Sequence, residues 1–154
     1  MCGIAGIYNQ KPGSVSLEIA GAMGLLMTHR GPDNFGLAKR ERIAMAHNRL
    51  SLLDLSEAAN QPFAKNGYLL AYNGEIYNFK NIRERLEREQ GVEFRTTSDT
   101  EVLFYSLIHD GIDECLKQIN GMFAFAFYDG DRDRLYLARD RMGIKPLYYY
   151  QSNG

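Results

Sequence analysis

Met122-Phe123-Ala124-Phe125-Ala126-Phe127-Tyr128 decides the fold class. Large and small side chains alternate with period two, so the stretch is a strand with three phenylalanines on one face and two alanines on the other. A sheet carrying large residues on one side and small ones on the other can be covered on both. Downstream, Asp129-Gly130 turns the chain into a second strand, Leu135–Ala138, and Leu147–Tyr150 predicts a third. Upstream lie helices. Ser98-Asp-Thr-Glu101 reads as a capping box opening a helix that Gly111 closes. Asn78 is placed to cap a helix from Phe79 to about Glu89, which Gly91 ends. Cys115 lies in a further helical stretch, Asp113–Ile119, and reads as buried and inert.

Toward the N-terminus, Leu69–Tyr72 predicts a strand cut off by the turn pair Asn73-Gly74. Ile43–His47 is a short strand, Arg49–Asp54 a strand or extended loop, and Ser56–Phe63 irregular. Pro32 and two glycines make His29–Gly36 a loop. A helix from near Ser16 to Thr28 places Leu17, Ala20, Gly24 and Met27 on one face. Cys2–Tyr8 reads as a buried strand starting at the terminus. Strands, then central helices, then antiparallel strands predict an α+β fold with helices packed on antiparallel sheets.

The 154 residues suit one domain with its own core. A net charge of -1 gives no footprint for nucleic acid or an acidic membrane surface. No apolar run reaches the roughly 20 residues of a membrane span. The first residues lack the pattern of a signal peptide, so cytoplasm is the expected location. The cysteines, Cys2 and Cys115, are too few for a disulfide framework. His29, His47 and His109 are scattered, which gives no metal-ligand spacing.

Five features could carry chemistry. Removal of Met1 would leave Cys2 with a thiol and a free amine on one residue. An α-amine with pKa near 7.7–8.0 can serve as the base for that thiol; the alternative is a small buried hydrophobe. Asn73-Gly74 could aim a side-chain N–H and a backbone N–H at one point, as an oxyanion hole requires, or simply form a hairpin turn. Arg49 could clamp a carboxylate or make a structural ion pair. Asp99 sits in a helical first turn, where a carboxylate is stabilised without any further task. Glu75 could meet an ammonium or be solvated. Tyr148–Tyr150 and the phenylalanine stripe read as core or interface.

Seven runs in order change the weight of these signals: Met1-Cys-Gly-Ile-Ala-Gly6, His29-Arg-Gly-Pro-Asp33, Arg49-Leu-Ser-Leu-Leu-Asp54, Tyr72-Asn-Gly-Glu-Ile-Tyr-Asn78, Ser98-Asp-Thr-Glu101, Gly121-Met-Phe-Ala-Phe125 and Arg139-Asp-Arg-Met-Gly-Ile-Lys-Pro-Leu147. Together they resemble the glutaminase domain of glutamine-hydrolysing asparagine synthetases, a class II glutamine amidotransferase of the N-terminal-nucleophile hydrolase type. Arg30-Gly-Pro-Asp33 and Tyr72-Asn-Gly-Glu75 look like asparagine synthetases in particular; related amidotransferases carry His-Asn-Gly at the second motif. Some members of the group amidate other carboxylates or sugars, so the ammonia acceptor stays open.

The resemblance implies a four-layer αββα sandwich over residues 1–154, a type 2 glutamine amidotransferase domain with its active site at one end between the sheets. It implies Cys2 as nucleophile and Asn73 with the Gly74 N–H as oxyanion hole. L-glutamine would be held by Arg49 on its carboxylate and by Glu75 and Asp99 on its ammonium, against Leu50, Ser51, Leu52 and Leu53. No cofactor is implied here; ATP and magnesium belong to a C-terminal synthetase domain that this sequence lacks. The sequence also stops before a further strand of the family, so an incomplete sheet edge is expected, and a homodimer is left open. The alternative expectation is a non-catalytic module that docks a synthetase partner, which retention of Met1 would favour.

Overall fold

The computed structural model describes residues 1–152. Two antiparallel sheets form its centre. The first contains β1 (Gly3–Tyr8), β2 (Asn34–Lys39) and β3 (Ile43–Arg49) in the order β1-β3-β2. The second contains β4 (Phe63–Lys65), β5 (Tyr68–Ile76), β6 (Gly121–Asp129) and β7 (Arg134–Arg139), paired in chain order. The helices are α1 (Leu17–Leu25), α2 (Phe79–Gln90), α3 (Asp99–His109) and α4 (Ile112–Gln118).

Strand alternation builds the layers. Ile43 and Met45 of β3 meet Leu69 and Ala71 of β5 and Tyr128 of β6 between the sheets, with Ala126 packed beside them. Ala44 turns the other way, onto Ala20 of α1 and Val15. On the far face of the second sheet, Phe123, Phe125 and Phe127 pack with Leu70 and Ile76 against Ile82, Leu86, Leu103 and Phe104 of α2 and α3. The result is a four-layer αββα sandwich. The small face of β6 lets the sheets approach, and the large face fills the helical side. Burial of each such side chain stabilises the fold by about 1.5–3 kcal/mol.

Several expectations need correction. The segment read as loop over 29–36 is a single 3-10 turn, Thr28–Arg30, followed by β2 from Asn34. Gly36, which argued for a loop, is a strand residue: a Cβ there would collide with the carbonyl oxygen of Gln61. Asn73-Gly74 is no turn. β5 runs through it to Ile76, with Asn73 opposite Ala124 and Gly74 opposite Phe123. Residues 147–150 form no strand, and Tyr148, Tyr149 and Tyr150 are 78–91% exposed, so they are not core.

Smaller differences concern helix ends and edges. α1 stops at Leu25 and buries Ala20, Gly21 and Gly24, while Leu17 lies outside. β1 is an edge strand and only Gly3 in it is fully buried. Ser98 does cap α3, accepting from the Thr100 N–H at 3.1 Å. Glu101, though, turns away from it to the Thr96 N–H at 2.8 Å, so the capping box is half made. Asn78 makes no side-chain cap; its amide bridges Gln118 O and Asn120 N at 2.9 and 2.8 Å. Cys115 is buried, and burial pushes its thiol up to about 11, as expected of an inert cysteine.

Candidate active site

Cys2 immediately precedes β1, and two contacts fix it. Arg30 Nε donates to its carbonyl at 3.1 Å, and the Leu50 N–H donates to Sγ at 3.4 Å. Opposite stands β5, which carries Tyr72, Asn73, Gly74 and Glu75 in consecutive positions. Gly74 is required there by packing: a Cβ would lie 2.7 Å from Phe123 Cα and collide with the Met122 carbonyl oxygen. Asn73 is 5% exposed, yet among the described residues its amide has no hydrogen-bond partner in the protein.

Arg49, the last residue of β3, is buried. Its Nη1 donates to Ser56 O and Asn60 Oδ1, both at 2.8 Å, and its Nη2 to Asp54 O. The guanidinium therefore organises the 50–60 loop, and three of its five N–H groups are committed. Asp54 ties that loop to the chain entering α3. Its carboxylate accepts from Ser56 N at 2.8 Å, and from Thr97 N at 2.7 Å and Thr97 Oγ1 at 3.1 Å. Hydrogen bonds from Ser56 and Thr97 hold its pKa down at about 2.

At the start of α3, Asp99 Oδ2 accepts from the Tyr72 hydroxyl at 2.7 Å and the Ile76 N–H at 2.9 Å. Burial pushes the Asp99 carboxyl up, against the pull of these two bonds. Burial also lifts the Tyr72 hydroxyl well above its ordinary range, so tyrosine keeps the proton and donates it. Gln61 completes this wall, accepting from Tyr72 N at 2.7 Å and donating to Thr100 Oγ1 at 3.3 Å. Behind it, fully buried His47 bridges the sheets through Nε2 and the Tyr72 carbonyl, 3.1 Å apart. Burial lowers its pKa to about 4, so the ring is neutral and Nε2 donates to the carbonyl.

These elements enclose a cavity of about 140 Å³. Cys2, Arg49, Leu50, Leu52, Leu53, Asn73, Gly74, Glu75 and Asp99 all line it. Ser51 does not; its N–H is spent on Asp33 Oδ2 at 2.7 Å. Sequence reasoning missed Asp54, Gln61, Tyr72, Met122 and Lys145 in the lining. Asp54, Tyr72, Met122 and Lys145 each stood inside a quoted motif, the one signal that could have found them. Gln61 stood in none. Among the described residues, no group of three His, Cys, Asp or Glu side chains is placed to hold a metal, and no helix is long and apolar enough to cross a membrane.

A thiol, three carboxylates, a guanidinium, an ammonium and an unpartnered amide line one cavity and form a cradle for a small molecule with charges of both signs. The family model for the glutamine amidotransferase domain matches residues 1–154. Glutamine-hydrolyzing asparagine synthetase 1 of Bacillus subtilis (strain 168) is 39% identical over 158 residues, which cover 99% of this chain and 24% of the relative. Asparagine synthetase 3 of the same organism is 38% identical, over 97% of this chain and 25% of its own length. Asparagine synthetase B of Escherichia coli (strain K12) is 38% identical, over 100% and 28%. The chain thus spans about a quarter of the length of these relatives. It belongs to the glutamine amidotransferase domain family.

Proposed function

We propose that this domain hydrolyses the side-chain amide of L-glutamine, with Cys2 as nucleophile once Met1 has been removed. One observation carries the reading. Cys2, Arg49, Asn73, Gly74, Glu75 and Asp99, from four separate stretches of chain, line a single cavity. Glutamine has an amide at one end and a carboxylate and an ammonium at the other. The two remaining donors of Arg49 suit the carboxylate, and Glu75 and Asp99 suit the ammonium. That orientation points the amide toward Cys2.

The Cys2 amine, directly or through a water, takes the thiol proton, and the thiolate attacks the amide carbon. Asn73 Nδ2 and the Gly74 N–H stabilise the tetrahedral oxyanion, a contribution of about 3–4 kcal/mol per donor. The C–N bond then breaks. The nitrogen leaves as ammonia with the proton the amine had taken, and a thioester remains on Cys2. Water hydrolyses it, returning the thiol and releasing glutamate. The relatives' names, glutamine-hydrolyzing asparagine synthetases, support an asparagine-synthetase-like amidation as the destination of the ammonia; a further domain using ATP and magnesium would carry it out.

Replacement of Cys2 by Ala, with Met1 removal verified by intact mass, is expected to abolish glutamate release from glutamine. Retained turnover would reject Cys2. A second reading, a non-catalytic module that docks a synthetase, applies to chain that keeps Met1. In that state Met1 itself lines the cavity and the amine is no longer on Cys2. Chain carrying Met1 is expected to be inactive.

A further inference from the structure

Lys145 is a buried cation in the cavity wall, 5% exposed. Among the described residues it joins no ion pair, and the only hydrogen-bond acceptor within reach of Nζ is Met1 Sδ, at 3.0 Å. A thioether is a weak acceptor for one of three ammonium N–H groups. The backbone that delivers this side chain is firmly held. The Lys145 N–H donates to Asp140 Oδ2 at 2.9 Å, and its carbonyl accepts from Arg139 Nε at 2.7 Å. Asp140 also accepts from the N–H groups of Phe123, Met142 and Ile144, which ties the loop to β6. A fixed loop thus brings a buried ammonium against the first residue of the chain, at the one residue that must leave if Cys2 is to work.

We propose that Lys145 is a positioning residue for Cys2, keeping its α-amine uncharged and so able to take the thiol proton. The proposal rests on the nucleophilic role of Cys2. That reactive state, a thiol beside a neutral amine, carries no net charge, whereas the thiol paired with an ammonium carries one positive charge. A neighbouring cation opposes the second, and it also stabilises the thiolate that forms when the proton moves. An unassisted α-amine, with pKa near 7.7–8.0, is mostly protonated at neutral pH and is then no base. Removal of Met1 strips Nζ of its sulfur partner and leaves the ammonium facing the new terminus. The other charged groups around Cys2 divide by sign. Arg30 lies on its carbonyl and adds to the effect, and Arg49 stands farther along the wall. Asp54, Glu75 and Asp99 line the cavity and oppose it, while Tyr72 stays protonated.

The test is the pH dependence of Cys2 alkylation by iodoacetamide in Met1-free protein, followed by peptide mass so that Cys115 is counted separately. Wild type, Lys145→Met, Lys145→Gln and Lys145→Arg are compared after thermal melts confirm folding. The wild-type midpoint is expected below the ordinary thiol value of about 8.5. In the Met and Gln variants it should rise by about one unit, slowing alkylation at pH 7 about tenfold, and in the Arg variant it should return toward wild type. A wild-type midpoint at or above the ordinary value would overturn the proposal, whether or not any variant folds. So would an unmoved midpoint in either folded neutral variant. Alkylation needs no glutamine turnover, so this outcome is read separately from the Cys2→Ala result.

Discussion

Replacement of Asp54 by Asn tests whether the cavity wall is held by charge. Asp54 accepts three hydrogen bonds, from Ser56 N, Thr97 N and Thr97 Oγ1, and these hold its pKa at about 2 against an ordinary 3.8. A difference of roughly two units corresponds to about 2.5 kcal/mol of folding free energy. The group is only half-buried, and solvent screening brings the expected contribution to about 1–2 kcal/mol. The folded-state pKa is depressed, so the contribution is fully present above about pH 4 and is lost as pH falls toward 2.

Urea unfolding of wild type and Asp54→Asn at several pH values measures it. The stability difference should be about 1–2 kcal/mol at pH 6 and fall to about half by pH 3. Because the same histidines and carboxylates titrate in both proteins, their contributions cancel in the difference. A difference that stays constant between pH 6 and pH 3 would show that the loss is neutral packing and would refute the charge argument.

Gly74→Ala should destabilise the fold by about 3 kcal/mol, since the new Cβ meets backbone of β6 that can move only with its strand; chemical denaturation checks this, and a loss under 0.5 kcal/mol would contradict the close approach. His47, with its pKa lowered to about 4 by burial, should remain neutral at pH 5.5 by imidazole nitrogen NMR. Its contribution to stability is present above the unfolded value of about 6.5 and lost as pH falls from there toward 4, so a protonated His47 ring at pH 5.5 would reject the buried, carbonyl-bonded arrangement.

That a sheet could be covered on both faces was legible because β6 alternates large and small side chains, while the four layers followed from the family resemblance. The structure assigns the faces: Phe123, Phe125 and Phe127 meet the helical layer, and Ala126 packs between the sheets. What misled was glycine. Gly36 and Gly74 signal turns by local propensity, but each sits inside a strand because another backbone passes too close for a Cβ. That approach joins residues distant in sequence and leaves no local trace. The exposed tyrosines 148–150 failed in the opposite sense: strand propensity without a ladder partner makes no strand. Arg49 and Asp99 were found as charges, but their bonds to the 50–60 loop and to Tyr72 and Ile76 depend on tertiary contacts no spacing reveals.

Those bonds give the cavity a division of labour. Arg49, Asp54, Gln61, Asp99 and Tyr72 are largely satisfied by one another and by backbone, which fixes the walls before any ligand arrives. Among the described residues, the side chains of Asn73 and Glu75 have no hydrogen bond to protein, and Lys145 Nζ has only a thioether. A strand held in register by β6 fixes the backbone that carries the Asn73 amide at the cavity. On the proposed mechanism, placing Asn73 and Gly74 on a ladder, where a turn had been expected, would hold two donors already oriented for a negative charge that develops only during reaction.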